Sequence, residues 1–205
     1  SAKPPLDNLD VRLGINHATN WQKVIDVIFR GDAARLPGWT KGFGRLDNPE
    51  IMARPFSIAK AKEYFAKAGY SEEGDDGILR DATGNRLEVI LSYSKIPVRE
   101  KMMGILKEEA RKAGVDFVLD GLDHTVLYKK EMAKEHQMVF SAWGFRPPYP
   151  RYYEYFHSNN AYDDKGNLKT NTNNIFSFKD ERMDQLAVAF RNATSEEELE
   201  RTAHE

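Results

Sequence analysis

The sequence predicts an α/β fold, a mixed sheet built on parallel βαβ units and flanked by helices. Three observations predict it. Leu87, Val89, Leu91 and Tyr93 alternate with Glu88, Ile90 and Ser92, the period of a strand with one buried side. Behind Pro97, residues Val98, Met102, Ile105, Leu106, Ala110 and Ala113 recur at helical spacing, and Gly114 comes next as a stop. Two more apolar runs, 115–119 and 138–143, bracket a polar helix that begins at Asp123 and carries Leu127, Tyr128 and Met132. Strand, helix, strand, helix and strand in so short a span require right-handed crossovers, and such crossovers pair strands in parallel.

Upstream, Asp10 precedes Val11, Ile15 and Ala18, whose spacing predicts a short helix capped by that carboxylate. Asn20 precedes Trp21, Val24, Ile25, Ile28 and Phe29, a second amphipathic helix that Gly31 closes. Residues 36–55 hold glycines and prolines without a period and predict a long loop, with Trp39 and Phe43 anchoring it on the core. Ser57 opens a helix with Ile58, Ala61, Phe65 and Ala68 on one face and Gly69 at its end. Residues 71–77 predict a solvated acidic loop containing the pair Asp75-Asp76, and a Gly-bearing turn over 81–85 predicts a hairpin between 78–80 and the strand from Leu87. Past the apolar run at 138–143, residues 157–174 are rich in Asn, Asp, Lys and Gly and read as an exposed connection. Asp180 begins a helix with Met183, Leu186, Ala187 and Phe190 on one face, and Ser195 with Glu198 forms a capping box for another.

At 205 residues the chain is about one domain, large enough to bury a core without staples. A net charge of −2 with both signs interspersed leaves no basic stripe, so nucleic acid is not an expected partner. The absence of cysteine excludes disulfides, thiolate metal sites and cysteine nucleophiles. No apolar run reaches the ~18 residues of a membrane span. The chain opens without a signal peptide and stops inside a helical pattern, so it is expected to be a piece of a longer protein.

The five histidines, His17, His124, His136, His157 and His204, lie apart, and no pair has metal-ligand spacing. There is no G-x-S-x-G elbow, Walker loop or G-x-G-x-x-G, so no catalytic residue, metal or cofactor is assigned. The remaining stretch of interest is 138–160, MVFSAWGFRPPYPRYYEYFHSNN. Gly144 ends the strand pattern, and Pro147, Pro148 and Pro150 stiffen the chain beyond it and remove backbone donors. A rigid, aromatic, Arg-bearing loop at the carboxyl edge of a parallel sheet is a common ligand site. Trp143, Gly144, Phe145, Arg146, Tyr149, Tyr152 and Tyr153 are therefore the candidate ligand-binding residues. Their rings can desolvate apolar parts of a ligand, and Arg146 offers a fork to a carboxylate or phosphate. The alternative is that these aromatics cover one edge of the core. Asn159, Asn160, Asn173 and Asn174 either meet amide groups of a ligand or are solvated loop residues.

Four stretches carry a resemblance to a known family: LDVRLGINHATNWQKVIDVIFRGDA; PFSIAKAKEYFAKAGY; GNRLEVILSYSK with the helix after it and GVDFVLDGLD; and VFSAWGFRPPYPRYYEYFHSNNA running to ERMDQLAVAFRNAT. In this order they resemble the family 5 extracellular solute-binding proteins, the peptide- and nickel-type binding subunits of ABC importers. Many peptide-binding members carry an Asp shortly after the equivalent of the third strand, where it anchors a peptide's amino terminus. Residues 145–151 hold no acid, which is closer to the YejA-like branch. The resemblance implies a type II periplasmic-binding-protein-like lobe over residues 1–205, most of the carboxy-terminal lobe of a two-lobed protein and truncated at both ends. It further implies a peptide or peptide-like solute in an interlobe cleft, closure against the missing amino-terminal lobe, delivery to ABC permease subunits, and a periplasmic or extracellular location. The competing expectation is an α/β hydrolase or transferase domain whose catalytic residues lie outside these 205.

Overall fold

The computed structural model describes residues 3–38, 41–142 and 148–205. Helices α1 (Leu9–Ala18), α2 (Trp21–Ile28) and α3 (Ile58–Lys67) precede the sheet. The cap of α1 is Asn8, whose Oδ1 accepts from the Asp10 amide at 2.8 Å. The sequence assigned that role to Asp10, which instead stands in the first turn, where its charge suits the helix dipole. Asn20 and Ser57 cap α2 and α3 as expected, accepting from the amides of Lys23 and Lys60. Helix α1 lies against α3 at Gly14, where an added Cβ would stand 2.4 Å from the Phe65 ring.

A small antiparallel ladder joins β1 (Glu72–Glu73) to β2 (Leu79–Arg80), so part of the acidic stretch expected to be a loop is strand. Asp76 is not left to solvent either. It meets Arg80 at 3.3 Å and Arg86 at 3.0 Å, and the Ile78 amide with these two cations holds its carboxyl below the usual range.

The central sheet has the order β4–β3–β5, from β3 (Glu88–Ser94), β4 (Asp116–Leu122) and β5 (Met138–Phe140), all parallel. The expected βαβ units are thus present, with α4 (Pro97–Arg111) and α5 (His124–Met132) as the crossovers. Seven register pairs join β3 to β4, and three join β3 to β5. Val89, Leu91 and Tyr93 on one face of β3 pack with Met102, Met103 and Leu106 of α4, with Val11 and Ile15 of α1, and with Phe65 of α3. The run at 138–143 was expected to be a buried strand. Among its described residues, pairing spans Met138–Phe140, and these are half-buried, as suits an edge; Trp143 lies outside the described residues.

Past the sheet, α6 (Tyr152–Phe156), α7 (Glu181–Asn192) and α8 (Glu196–His204) pack together. Residues 157–174, between α6 and α7, were expected to be exposed, yet His157, Ala161 and Asn174 are buried. They contain a turn that repeats the hairpin turn at 81–85. Asp81 Oδ1 accepts from the Thr83 and Asn85 amides, and Asp163 Oδ1 from those of Lys165 and Asn167. Each Asx turn closes a single antiparallel bridge, Arg80↔Arg86 in one case and Tyr162↔Leu168 in the other. Among the described residues no helix is long and apolar enough to cross a membrane.

Candidate functional site

The register Ser94↔Leu122 and Tyr93↔Phe140 brings the carboxyl ends of all three central strands to one edge. The segment after Phe140 leaves from there. Phe140 has two ring partners: Trp21 stacks on it at 5.8 Å between ring centroids, and the Arg99 guanidinium lies 5.6 Å from its centroid. Arg99 comes from the first turn of α4 and also donates to Ser94 Oγ at the end of β3.

The β3 face opposite Leu91 and Tyr93 carries Ser92 and Ser94, both buried. Ser92 Oγ donates to Asp120 Oδ2 at 2.8 Å, and Lys130 Nζ donates to the same oxygen at 2.7 Å. Lys130 is the main cause of a lowered Asp120 pKa. Beside them lies Glu131, 2% exposed, with no partner for Oε1. Burial raises its pKa, against a hydrogen bond from Ser141 and the charges of His124 and Arg99. The polar helix read from the sequence is α5; of its large side chains Leu127 and Met132 are buried and Tyr128 is 53% exposed, while Glu131, one turn past Leu127, is buried with them.

Of the seven candidate residues, Trp143, Gly144, Phe145 and Arg146 lie outside the described residues. Tyr149, Tyr152 and Tyr153 come together around a groove of about 560 Å³ that Pro148, Phe190, Arg191 and Leu199 also line. Tyr149 is 53% exposed. Tyr152 meets Phe190 edge to face at 4.9 Å, and Tyr153 lies 4.3 Å from the His157 ring with the Arg191 guanidinium 4.8 Å from its own centroid. The groove is therefore aromatic and, through Arg151 and Arg191, cationic on its rim, with Glu154 as its acid. Arg191 was not singled out from sequence, and Phe190 was read only as part of a buried helix face. Their one signal is position, since Phe190 ends the apolar stripe of α7 and Arg191 is the next residue.

Two of the four asparagines serve the main chain. Asn160 Nδ2 donates to the Tyr153 carbonyl at 2.7 Å, which fixes the end of α6. Asn174 is wholly buried and fully bonded. Among the described residues no three His, Cys, Asp or Glu side chains are grouped to hold a metal ion.

Sequence and structure comparisons bear on the fold and the family of the chain. The nickel-binding periplasmic protein of Escherichia coli (strain K12) is 26% identical over 147 residues, 70% of this chain and 28% of that protein. The oligopeptide-binding protein of Thermus thermophilus, solved with a pentapeptide, superposes with a TM-score of 0.81 at 21% identity, over 97% of this chain and 35% of its own. NikZ of Campylobacter jejuni, solved with Ni(L-His), gives 0.77 at 20% identity, over 98% and 39%. The two structural likenesses speak to the fold, and this chain spans 28% to 39% of the three relatives' lengths. A family profile described as bacterial extracellular solute-binding proteins, family 5 Middle, matches residues 1–163. With four-fifths of its length so matched, the chain belongs to the family 5 bacterial extracellular solute-binding proteins.

Proposed function

We propose that the chain is one lobe, most of the carboxy-terminal one, of a two-lobed protein that captures a peptide or peptide-like solute between its lobes. The whole protein would deliver the solute to the permease subunits of an ABC importer, from the periplasm or the outer face of the cell. One observation carries the reading: an aromatic, proline-stiffened segment leaves a wholly parallel sheet at its carboxyl edge, where crevices open between crossovers. Tyr149, Tyr152 and Tyr153 give that region apolar faces, and Trp143, Gly144, Phe145 and Arg146 are proposed with them as ligand residues from the sequence. Prolines in the segment lower the ordering cost a ligand must overcome. Membership of a solute-binding family sets the hydrolase or transferase alternative aside. The lack of an acid in 145–151 is in keeping with the YejA-like branch.

A peptide is favoured over a nickel complex because the described groove is lined by rings and arginines, while no metal-ligating group of three is found among the described residues. Native mass spectrometry of the full-length protein, followed by calorimetric titration, tests this. A co-purified peptide and micromolar or tighter peptide affinity are expected, whereas binding of nickel–histidine alone would count against it. The 205-residue chain by itself supplies half a cleft and is expected to bind at least tenfold more weakly, on the order of 1.4 kcal/mol.

A further inference from the structure

Arg35 carries its charge without an acid. Its Nη1 donates to the Arg54 carbonyl and its Nη2 to Asn16 Oδ1 at 3.3 Å, both neutral acceptors. Among the described residues no carboxylate stands at ion-pair distance from it. Burial lowers the guanidinium's pKa, the direction of a cation that no nearby acid compensates. The Arg54 contact closes the neck of the loop over 36–53, which is a structural role, but it occupies one donor. A guanidinium has five N–H donors, and beyond these two bonds the rest meet no acceptor among the described residues.

The free part of Arg35 has a cavity beside it. Arg35 lines a groove of about 450 Å³ together with Trp21, Phe29, Phe140, Met52 and Met102. That volume lies within the range of small-molecule sites, roughly 300–1,000 Å³. Among the described residues on its wall Arg54 is the other charged one, and none is an acid. The groove of Tyr149, Tyr152 and Tyr153, by contrast, includes Glu154. A smaller cavity of about 220 Å³ shares Asn16, Trp21, Arg35 and Phe140 with the Arg35 groove and continues to Leu91 and Phe117 of the core. Arg35 therefore stands where an outer aromatic groove meets an inner apolar chamber, with positive charge and nothing to balance it.

We propose that the Arg35 groove is a further binding site, for an organic carboxylate with an aryl or alkyl body. A carboxylate matches the planar fork of a guanidinium and supplies the charge that Arg35 lacks. The rings and thioethers of the wall cover the apolar body, and the inner chamber leaves room for a longer one. The proposal does not depend on the peptide reading, because no residue lines both this groove and that of Tyr149, Tyr152 and Tyr153.

Ligand-observed NMR titration of the full-length protein with phenylbutyrate and with phenylbutyramide tests it, since the two share a body and differ in charge. Wild type should bind the carboxylate at least tenfold more tightly than the amide. Arg35→Gln, which removes the charge and keeps an amide donor, should lose at least tenfold on the carboxylate and bind the amide as wild type does. Ala34→Phe places a ring at an exposed position of the groove wall with every Arg35 contact kept, and it should weaken both compounds. A wild type that binds neither compound, or both alike, overturns the proposal. So does an Arg35→Gln variant that keeps the preference, or an Ala34→Phe variant that binds the carboxylate as wild type does. None of these failures touches peptide capture, which is read separately by titration with peptide.

Discussion

Asn174 and Phe178 hold each other twice. Asn174 Nδ2 donates to the Phe178 carbonyl at 2.9 Å, and the Phe178 amide donates back to Asn174 Oδ1 at 2.9 Å. The same Nδ2 reaches the His157 carbonyl at 3.2 Å, so one fully buried side chain ties the end of α6 to the approach to α7. Asn174→Ala leaves an amide and two carbonyls short of partners. At roughly 1–3 kcal/mol for each buried group left unpaired, partly recovered by relaxation, a loss of about 3 kcal/mol is expected. Urea unfolding measures it, and a loss under about 1 kcal/mol would show that water replaces the side chain.

Gly14→Ala sets two effects against each other. Alanine is favoured over glycine inside a helix by about 1 kcal/mol. Here its Cβ would lie 2.4 Å from a ring carbon of Phe65, which is wholly buried, so the ring must shift within a packed core. Overpacking of this kind costs about 1–3 kcal/mol, so net destabilisation is expected. Adding Phe65→Leu should recover part of the loss if the ring is the cause, which a double-mutant cycle reads directly.

Two buried glutamates should give opposite responses to acid. Burial alone would raise the pKa of Glu109, but hydrogen bonds from Lys112, Lys23 and Asn20 outweigh it and bring the value down to about 2. A depressed folded-state pKa gives stability that is complete above the ordinary value of 4.5 and lost as pH falls toward about 2. Glu131 is raised, chiefly by burial, so its contribution is fullest at low pH and is lost as pH rises through its folded-state value. Glu109→Gln should flatten the acid limb of a stability–pH curve, while Glu131→Gln should raise the melting temperature at neutral pH by an amount that shrinks as pH falls toward the ordinary value of 4.5 and levels off below it. The same sign of change in both would refute the assignment.

Neighbouring tyrosines should separate binding from folding. Tyr149 is more than half exposed, whereas Tyr152 packs edge to face on Phe190. In the full-length protein, Tyr149→Ala is expected to weaken solute binding at least tenfold with a change in stability below about 0.5 kcal/mol. Tyr152→Ala should cost about 2–4 kcal/mol of stability, the range for a large ring removed from a packed site. Calorimetric titration beside thermal melts distinguishes the two.

The regular parts of this fold were legible because they obey short periods. The alternation at Leu87, Val89, Leu91 and Tyr93, the helix behind Pro97, and the stops at Gly69 and Gly114 all appear where local rules put them. The illegible parts depend on distant partners. Asn174 reads as a loop residue because the residues before it are polar, and only the fold brings Phe178 and His157 to it. The Asx turn at Asp163 repeats the pattern Asp-x-x-Gly-Asn of 81–85 and was within reach of comparison with it. The burial of Glu131 was not read from the sequence, and the Ser92–Asp120–Lys130 contacts could not be, since they are assembled from β3, β4 and α5. In the groove, Tyr149, Tyr152 and Tyr153 were found from composition, while Phe190 and Arg191 arrive from a helix some forty residues downstream.

The unequal ladders of the central sheet have a consequence for how the protein breathes. Seven register pairs hold β4 to β3, but only three hold β5, the strand from which the candidate ligand segment departs. Fewer pairs mean a lower free energy of local opening, so the amides of β5 should exchange with solvent ahead of those between Val89 and Tyr93. A solute that engages the segment after β5 in the whole protein would add its binding energy to this weakest seam. Its arrival would then register as slowed exchange at Val139 and Phe140, while the longer ladder beside them stayed as it was.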